Sequence, residues 1–405
     1  MARAIYVFCA VLLSAVDLAA PLSAPNPSPK SGGSSPLKIL ELSGNLPTQP
    51  LLVTTAKAIS KGVYGLMVSE LAPQSKDGAY VRPADPFRTI AKDFTPTAAT
   101  PGTMLLYGGN PCPWCHRVDL ALAARRVPAS VVRRVVLEDN PIKASRGGWC
   151  FADDRPDPLF GARDLREVYD KLQPGFVGRC TAPLGVDLRK KQPISNESND
   201  LMKYVNSLDV GAYVDDAGVA WEVELRPKEL EAEIGAWAEK LYGGLNNGVY
   251  RCGFATTQAA YDTASAAVAA TLDEVEEQLS KTRYLCGDKV TEADIRLFPT
   301  VMRYDGAYST IFKCGFRRIA TLPNVSAWMR DIYQNFGRDT IDIEDAVASY
   351  YKWMIPLNPS AIIPRAPDLN LEAPHGRGPA KDTFHMRRST APAPAKGAVL
   401  VEAQA

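Results

Sequence analysis

MLLYGGNPCPWCHRV (residues 104–118) predicts a short apolar strand that turns through a Cys-Pro pair into a helix. Pro113 suits the first helical position because it has no N–H to lose. The free N–H groups and the positive end of the helix dipole in that first turn favour a thiolate over a thiol. The stretch therefore predicts an activated thiol, Cys112, on a thioredoxin-like α/β scaffold.

The Cys112–Cys115 pair has two other interpretations. Half of a zinc site needs a second Cys or His pair at ligand spacing, and the chain has only three histidines, His116, His375 and His385. The other interpretation is a structural disulfide. The predicted strand before the pair and the helix after it favour a redox helix without a metal over both.

Size and charge restrict the class of protein. The chain has 405 residues, of which 46% are hydrophobic, and a formal net charge of +1. This length predicts two domains with tails, and the balanced charge gives no basis for nucleic-acid binding. Eight scattered cysteines, with Cys9 in a targeting segment, indicate a reducing compartment rather than a disulfide framework.

Residues 1–45 are typical of a targeting presequence and linker. Arg3 precedes an apolar stretch from Ala4 to Val16 that is short for a membrane span. A stretch without acidic residues, rich in Ser and Pro, then runs from Leu18 to Leu40. The two parts together predict a two-part presequence for import into a complex plastid. Secretion and a membrane anchor are the alternatives.

Hydrophobic periodicity divides the next 165 residues. Residues 46–100 form an N-terminal arm, with helical spacing from Leu51 to Leu71 and an extended segment, Gly78 to Phe87, laid over the first domain. Residues 101–210 alternate as an α/β domain. Its predicted elements are strand 103–107, helix 114–126, strand 131–137, helix 162–172, strand 179–184, a strand near 193–195 and helix 197–207.

Residues 211–365 have helical periodicity and predict an all-helical domain. Thr291 and Asp294 form a helix-start signal, because each side chain can cap a backbone N–H. Arg303 and Asp305 are interpreted as a buried structural pair.

The C-terminal segment, residues 366–405, is a low-complexity tail rich in Pro, Ala and Gly. We expect disorder from about Glu372 onward and above all beyond Lys381, because such a composition buries little apolar surface.

A thioredoxin-like half followed by an all-helical half is the layout of glutathione transferases. Seven stretches in chain order narrow this resemblance: CPWCHR (112–117), DPLFGARDLREVY (157–169), SNES (195–198), NNGVYRCGFATTQAAY (246–261), RYLCGDKVTEADIRLF (283–298), RYDGAYSTIFKC (303–314) and NPSAIIP (358–364). Together they closely resemble the Xi class, the glutathionyl-hydroquinone reductases, over roughly Gly78 to Arg377.

The resemblance implies reduction of a glutathionyl-hydroquinone by glutathione, which is a co-substrate rather than a cofactor. Cys112 attacks the glutathione sulfur of the conjugate, and a second glutathione then attacks the mixed disulfide. Members of the family often have Ala at the position of Cys115, so Cys115 is expected to be dispensable. The family also forms dimers, which implies a homodimer here.

The same resemblance implies the backbone part of a glutathione site. Ala182-Pro183 matches the place where the fold uses a cis-proline, whose preceding backbone pairs with glutathione like an added strand. The family usually has Val before this proline, and Leu184-Gly185-Val186 also departs from its pattern. Backbone pairing tolerates Ala, so the change affects pocket packing rather than pairing.

Four side chains complete the implied glutathione site. Glu197 and Ser198 match the pair that grips the γ-glutamyl end, where a helix start can bind a carboxylate. Trp149 matches an aromatic residue that packs against glutathione. Arg179 is expected to pair with the glycyl carboxylate.

Three tyrosines match positions around the aromatic acceptor: Tyr250, Tyr308 and Tyr350, with Tyr351 as an alternative to Tyr350. Phenol O–H groups can hydrogen-bond hydroquinone oxygens and help to protonate the leaving carbon. Without the resemblance, each would be interpreted as a core tyrosine.

Two other functions share parts of this pattern. A glutaredoxin-like thiol transferase or dehydroascorbate reductase has the cysteine and the glutathione site but does not need the tyrosines. A non-catalytic binding protein of the same fold has no need of the cysteine, the proline strand or the Glu-Ser pair.

Overall fold

The computed structural model describes residues 49–87, 104–378 and 383–391. Residues up to Gly62 form a separate unit, of which only the first part of helix α1 (Gln49–Leu71) is described. The predicted presequence, residues 1–45, lies outside the described residues. The elements that follow belong to the second unit, Val63–Ala405.

A five-stranded mixed sheet forms the first domain, and it confirms the thioredoxin-like prediction. The strands are β1 (Met104–Gly109), β2 (Val132–Asp139), β3 (Trp149–Cys150), β4 (Leu184–Asp187) and β5 (Gln192–Ser195). Their order is β3-β2-β1-β4-β5, in which β1 and β2 are parallel and the other neighbours are antiparallel. Every residue of β1 is buried, which accounts for its continuous apolar run.

Helices cover both faces of this sheet. They are α2 (Pro113–Ala124), α3 (Leu165–Leu172) and α4 (Ser198–Ser207). Met104 and Leu106 of β1 share a core with α2 and α4, whereas Leu105 and Tyr107 share the opposite core with α3. Successive side chains of a strand point to opposite faces, so one strand joins the two cores.

Two predicted boundaries of this domain are wrong. The strand predicted at 179–184 lies instead at Leu184–Asp187, directly after a cis Ala182-Pro183 bond. The helix predicted from residue 162 begins at Leu165, because the Asp164 carboxylate accepts the N–H of Glu167 at 2.9 Å and caps it there.

The extended segment Gly78 to Phe87 packs against this domain at its Phe87 end, but its start contacts the helical half, because Gly78 O accepts the N–H of Thr256 there at 2.9 Å. The backbone N–H of Phe87 donates to Asn196 Oδ1 at 3.0 Å, and Phe87 O accepts the N–H of Asn196 at 2.9 Å. The Phe87 ring stacks on Tyr169 at 5.3 Å and contacts Phe176. This end of the segment thus covers the face that α3 occupies.

The second half is helical from residue 228 onward, but the prediction of an all-helical domain over residues 211–365 is wrong at its start, where residues 213–223 carry two short strands. Its helices are α5 (Glu231–Leu241), α6 (Gly248–Gly253), α7 (Gln258–Lys281), α8 (Glu292–Arg303), α9 (Ser309–Ile311), α10 (Pro323–Ile332) and α11 (Ile343–Trp353). A π-helical turn, Tyr304–Tyr308, joins α8 to α9. Thr291 and Asp294 form the predicted capping box at the start of α8.

Part of the C-terminal tail is ordered, so the expectation of disorder is wrong for residues 372–378 and 383–391. Strands β6 (Tyr213–Val214), β7 (Ala220–Val223) and β8 (Met386–Arg388) form a small antiparallel sheet. β8 pairs with β7 across a separation of more than 160 residues. The composition of the tail did not reveal this partner, because backbone pairing does not require apolar side chains.

Membrane-spanning helices and metal clusters were sought in the described ranges. Within them, every helix is too short or too polar to cross a bilayer. Groups of three or more potential metal ligands are likewise absent from these residues.

Candidate active site

Cys112 occupies the N-cap position of α2, where its sulfur faces the first helical turn. Its Sγ accepts the backbone N–H of Cys115 at 3.3 Å and lies 3.5 Å from the carbonyl oxygen of Ala182. The residue is 8% exposed. The structure therefore brings the predicted nucleophile to the strand edge that carries the cis-proline, as the sequence predicted.

The surroundings of Cys112 favour its thiolate. Burial by itself raises the pKa of the thiol, but hydrogen bonds from the side chain and backbone of Cys115 and the positive charge of Arg303 outweigh burial. The pKa of Cys112 is therefore below its ordinary value. A lowered pKa increases the fraction of the thiolate, which is the nucleophilic form of the side chain.

Arg303 supports the loop that carries Cys112, a role that the sequence did not indicate. Its guanidinium is fully buried and donates to the carbonyl oxygens of Asn110 at 2.7 Å and Pro111 at 3.0 Å. It also donates to Pro299 O and to Nδ1 of His116, both at 3.0 Å. One cation thus fixes the two peptides that precede the nucleophile and also lowers its pKa.

Arg303 and Asp305 are both buried, as interpreted, but they bind different partners instead of each other. The Asp305 carboxylate accepts the backbone N–H groups of Ile319 at 2.9 Å and Ala320 at 3.0 Å. Residues two apart in a helical segment point about 200° apart, so the two side chains face different neighbours.

His116 is neutral and has a fixed tautomer. Burial, followed by the charge of Arg303, lowers its pKa well below the ordinary value. Because Arg303 donates to Nδ1, the ring proton resides on Nε2, which donates to Thr340 Oγ1 at 2.8 Å. Thr340 in turn donates to Gly337 O at 2.6 Å. This chain of hydrogen bonds connects Arg303 through His116 and Thr340 to the backbone of Gly337.

Glu197 and Ser198 lie at the start of α4, as expected for a carboxylate-binding helix end. Glu197 is the N-cap, and its Oε1 accepts the N–H of Asn199 at 3.1 Å and the hydroxyl of Ser198 at 3.3 Å. Burial and then the charge of Arg296 lower the pKa of Arg117 to about 9, while Glu197 opposes this shift. Arg117 belongs to α2, so the start of α4 and the nucleophile helix face the same cleft.

Trp149 and Arg179 differ in how the structure places them. Trp149 is half-buried on β3, and its ring lies against the backbone of Gly109 at the end of β1. Arg179 is exposed before β4, and its side chain has no hydrogen bond or ion pair with the described residues. The position of Trp149 next to the Cys112 loop fits its predicted role. The predicted pairing of Arg179 with the glycyl carboxylate stays a prediction.

Gly109 makes the position of Trp149 possible. A Cβ added at Gly109 would overlap the Trp149 ring. Gly109→Ala is therefore expected to displace this ring, destabilise the protein by about 1–3 kcal/mol and raise the KM for glutathione. Gly235→Ala is the matched control, because no atom lies within 4 Å of an added Cβ there. An unchanged KM in Gly109→Ala would separate Trp149 from glutathione binding.

Three phenols form a hydrogen-bonded chain beside the nucleophile loop. Tyr350 Oη lies 2.8 Å from Tyr308 Oη and 3.1 Å from Tyr250 Oη, and it reaches Pro111 O at 3.4 Å. The predicted acceptor-pocket tyrosines are thus brought together from α6, the π-helical turn and α11. Tyr351 is not part of this chain, because it donates to Gly306 O at 2.9 Å.

These phenols retain their protons at neutral pH. Burial is the main cause that raises the pKa of Tyr250, Tyr308 and Tyr350. The charge of Cys112 also acts to raise the pKa of Tyr250 and Tyr308. The site therefore places proton donors opposite a thiolate nucleophile.

The indole of Trp114 contacts two cations that the sequence did not connect with it. The guanidinium of Arg82 lies 4.2 Å from the ring centroid of Trp114, and that of Arg117 lies 4.4 Å from it. The Trp114 ring also stacks on Tyr250 at 6.4 Å. Cation–π contact orients the indole, which links the extended segment to the start of α2.

Residues 258–331 match the family model "Glutathione S-transferase, C-terminal domain". A glutathionyl-hydroquinone reductase of Sphingobium chlorophenolicum is 39% identical over 277 residues, which cover 66% of this chain and 83% of the relative. The chain belongs to the glutathionyl-hydroquinone reductase family, the Xi class of glutathione transferases.

Solved structures of this Xi class have the same fold. The glutathione transferase Xi of Phanerochaete chrysosporium is 32% identical, with a TM-score of 0.64 over 73% of this chain and 94% of the other. The glutathione-bound structure of a glutathione transferase homologue from Escherichia coli K-12 is also 32% identical, with a TM-score of 0.63 over 75% and 94%. The fold predicted from the sequence, a thioredoxin-like domain followed by an all-helical glutathione-transferase domain, is confirmed.

Proposed function

We propose that this Xi-class protein is a glutathionyl-hydroquinone reductase, which converts a glutathionyl-hydroquinone and glutathione into the hydroquinone and oxidised glutathione. The observation that carries the proposal is the opposition of a thiolate-favouring Cys112 to three linked phenols that keep their protons. The names of the relatives support the same activity.

The first half-reaction uses both sides of the cleft. Cys112 thiolate attacks the glutathione sulfur of the conjugate, forming the mixed disulfide and breaking the bond between sulfur and the ring carbon. The leaving carbon takes up a proton, which Tyr250 or Tyr308 supplies. Tyr350 hydrogen-bonds both phenols and can pass them a replacement proton.

The second half-reaction restores the thiol. The thiolate of a second glutathione attacks the glutathione sulfur of the mixed disulfide, and Cys112 leaves with the electron pair. Because the surroundings of Cys112 stabilise its thiolate, it is a good leaving group in this step. We assign glutathione itself to Trp149, Arg179, the Ala182-Pro183 backbone, Glu197 and Ser198.

The aromatic pocket favours this activity over dehydroascorbate or simple disulfide reduction. Tyr250 packs against Phe312 at 5.0 Å, and Tyr308 stacks on Phe312 at 5.4 Å, which gives the acceptor side an apolar wall. A non-aromatic acceptor gains little from such a wall. Comparison of kcat/KM for a glutathionyl-hydroquinone, dehydroascorbate and a small mixed disulfide tests this, and a preference for either of the last two would overturn the proposal.

Loss of a single phenol is expected to slow quinol release. Tyr250→Phe and Tyr308→Phe should each lower kcat by about 10²-fold with little change in the KM for glutathione, because a proton donor is lost while the thiol site is intact. Tyr351→Phe is the matched control, since its hydroxyl serves the backbone at Gly306. Equal losses in kcat and in glutathione binding would indicate a structural role instead.

We further propose that the protein is a homodimer and that residues 1–45 direct it to a plastid. The family resemblance supports the dimer, and the two-part composition of the presequence supports targeting to a plastid. Light scattering of the full chain tests the first, and the location of a fluorescent protein fused behind residues 1–45 tests the second. A monomeric mass, or secretion of the fusion, would contradict them.

A further inference from the structure

The second cysteine of the Cys-x-x-Cys pair is left unused by the proposed chemistry. Cys115 lies in the first turn of α2, and its backbone N–H donates to Cys112 Sγ at 3.3 Å. The sulfur that forms the mixed disulfide therefore lies at the same helical turn as a second thiol.

Cys115 occupies a confined site beside a cation. It is 1% exposed, and a Cβ added at Gly108 would lie 3.0 Å from its Sγ and 2.9 Å from Arg134 Nη1. The thiol and the guanidinium thus share the space that the absent side chain of Gly108 leaves open. Arg134 is held there by Asp119, at 2.7 and 2.9 Å, and by Gly108 O at 2.7 Å.

We propose that Cys115 is a resolving thiol, which expels glutathione from the Cys112–glutathione mixed disulfide and leaves a Cys112–Cys115 disulfide for a dithiol reductant. The inference rests on the proposed function, which supplies the mixed disulfide. It adds a second exit from that intermediate, in which no second glutathione has to enter the cleft.

The step balances as an ordinary thiol–disulfide exchange. The sulfur of Cys115 attacks the sulfur of Cys112, so a Cys115–Cys112 bond forms and the bond from Cys112 to glutathione breaks. The electron pair leaves with the glutathione thiolate, which takes up the proton that Cys115 releases. A dithiol then delivers two electrons and two protons, which restores both cysteine thiols and oxidises the dithiol to its disulfide.

The electrostatics of the pair determine the order in which the two thiols react. In the resting site, burial raises the pKa of Cys115 well above its ordinary value, and the hydrogen bond and charge of Cys112 raise it further. Arg134 acts in the opposite direction, and Asp119 adds a smaller upward effect. Once Cys112 is in a mixed disulfide its charge is gone, so the balance moves toward the Cys115 thiolate. Cys115 does not compete at rest and becomes available after the first step.

The test follows the fate of one bound glutathione. The full chain is loaded at Cys112 with oxidised glutathione, freed of excess reagent, incubated without any thiol and quenched with an alkylating agent. Both cysteines lie in the tryptic peptide 93–117. In the wild type this peptide is expected to lose its glutathionyl group and to be two hydrogens lighter than the reduced form, with one glutathione released per chain.

Cys115→Ser and Cys115→Ala are the matched variants, and both are expected to keep the glutathionyl group over the same time. If one of these variants fails to fold, the other still provides the comparison with the wild type. Retention of the adduct by the wild type would overturn the inference while leaving the proposed function intact. Failure of Cys112 to accept glutathione at all would contradict both the inference and the proposed function. The mass spectrum of the peptide distinguishes this result from retention of the adduct.

Discussion

Cys112→Ser is expected to lower kcat for a glutathionyl-hydroquinone by at least about 10³-fold, because loss of the nucleophile removes the covalent intermediate. The serine hydroxyl stays protonated near neutral pH and cannot form a disulfide with glutathione. Serine is nevertheless a good N-cap residue, so it can accept the N–H of Cys115 in place of the sulfur and maintain α2. The loss should therefore appear in kcat and not in the free energy of unfolding.

Steady-state turnover and intact mass together check this result. The variant should acquire no glutathionyl group at residue 112 when it is mixed with the conjugate. Cys286→Ala is the matched control, because burial raises the pKa of this thiol to about 12 and makes it inert. Turnover by Cys112→Ser close to that of the wild type would refute the covalent mechanism and the role of the thiol.

Arg303→Met is expected to damage both the stability of the active-site loop and the reactivity of its thiol. The carbonyls of Asn110, Pro111 and Pro299 each lose a buried donor, so the free energy of unfolding should fall by about 3 kcal/mol or more. The positive charge of Arg303 also lowers the pKa of Cys112. Its removal raises that pKa, so the thiolate forms only at higher pH and the rise of activity with pH moves in the alkaline direction.

The rate of alkylation of Cys112 as a function of pH separates these two effects. A purely structural role for Arg303 would lower stability without moving the inflection of this curve. Arg303→Lys keeps the charge but not the fork of donors, so it should retain more of the thiol reactivity than of the stability.

Arg283→Met is the control for Arg303→Met, because it breaks another arginine interaction outside the site, between half-buried Arg283 and buried Asp331 at 2.9 and 3.0 Å. It should lose stability and leave the alkylation curve in place. If both variants move the curve equally, the charge of Arg303 has no specific effect on Cys112.

Local patterns in the sequence were sufficient for the elements that carry the nucleophile. The apolar run before Cys112, the proline after it and the free N–H groups of the first turn all act within a few residues. The start of α8 was predictable for the same reason, since the Thr291–Asp294 box closes within one turn. Contacts of this range depend on backbone geometry that the residue types themselves favour.

The resemblance to the Xi class went further than local patterns. It placed Tyr250, Tyr308 and Tyr350 in one pocket, although each of them is indistinguishable from a core tyrosine by its own surroundings in the sequence. The structure adds what the resemblance lacked, namely that Tyr350 is the central member of a hydrogen-bonded chain and that Tyr351 is not part of it.

Other features depended on contacts across long stretches of chain. Arg303 reaches Pro111 across 192 residues, and β8 pairs with β7 from within a segment whose composition favours disorder. No residue-type pattern near either end records such a contact, because it forms only when separate elements pack. The sequence alone thus specified the thiol, its helix and the class of fold. Packing between the two halves supplied the cation that stabilises the thiolate and the phenols that oppose it.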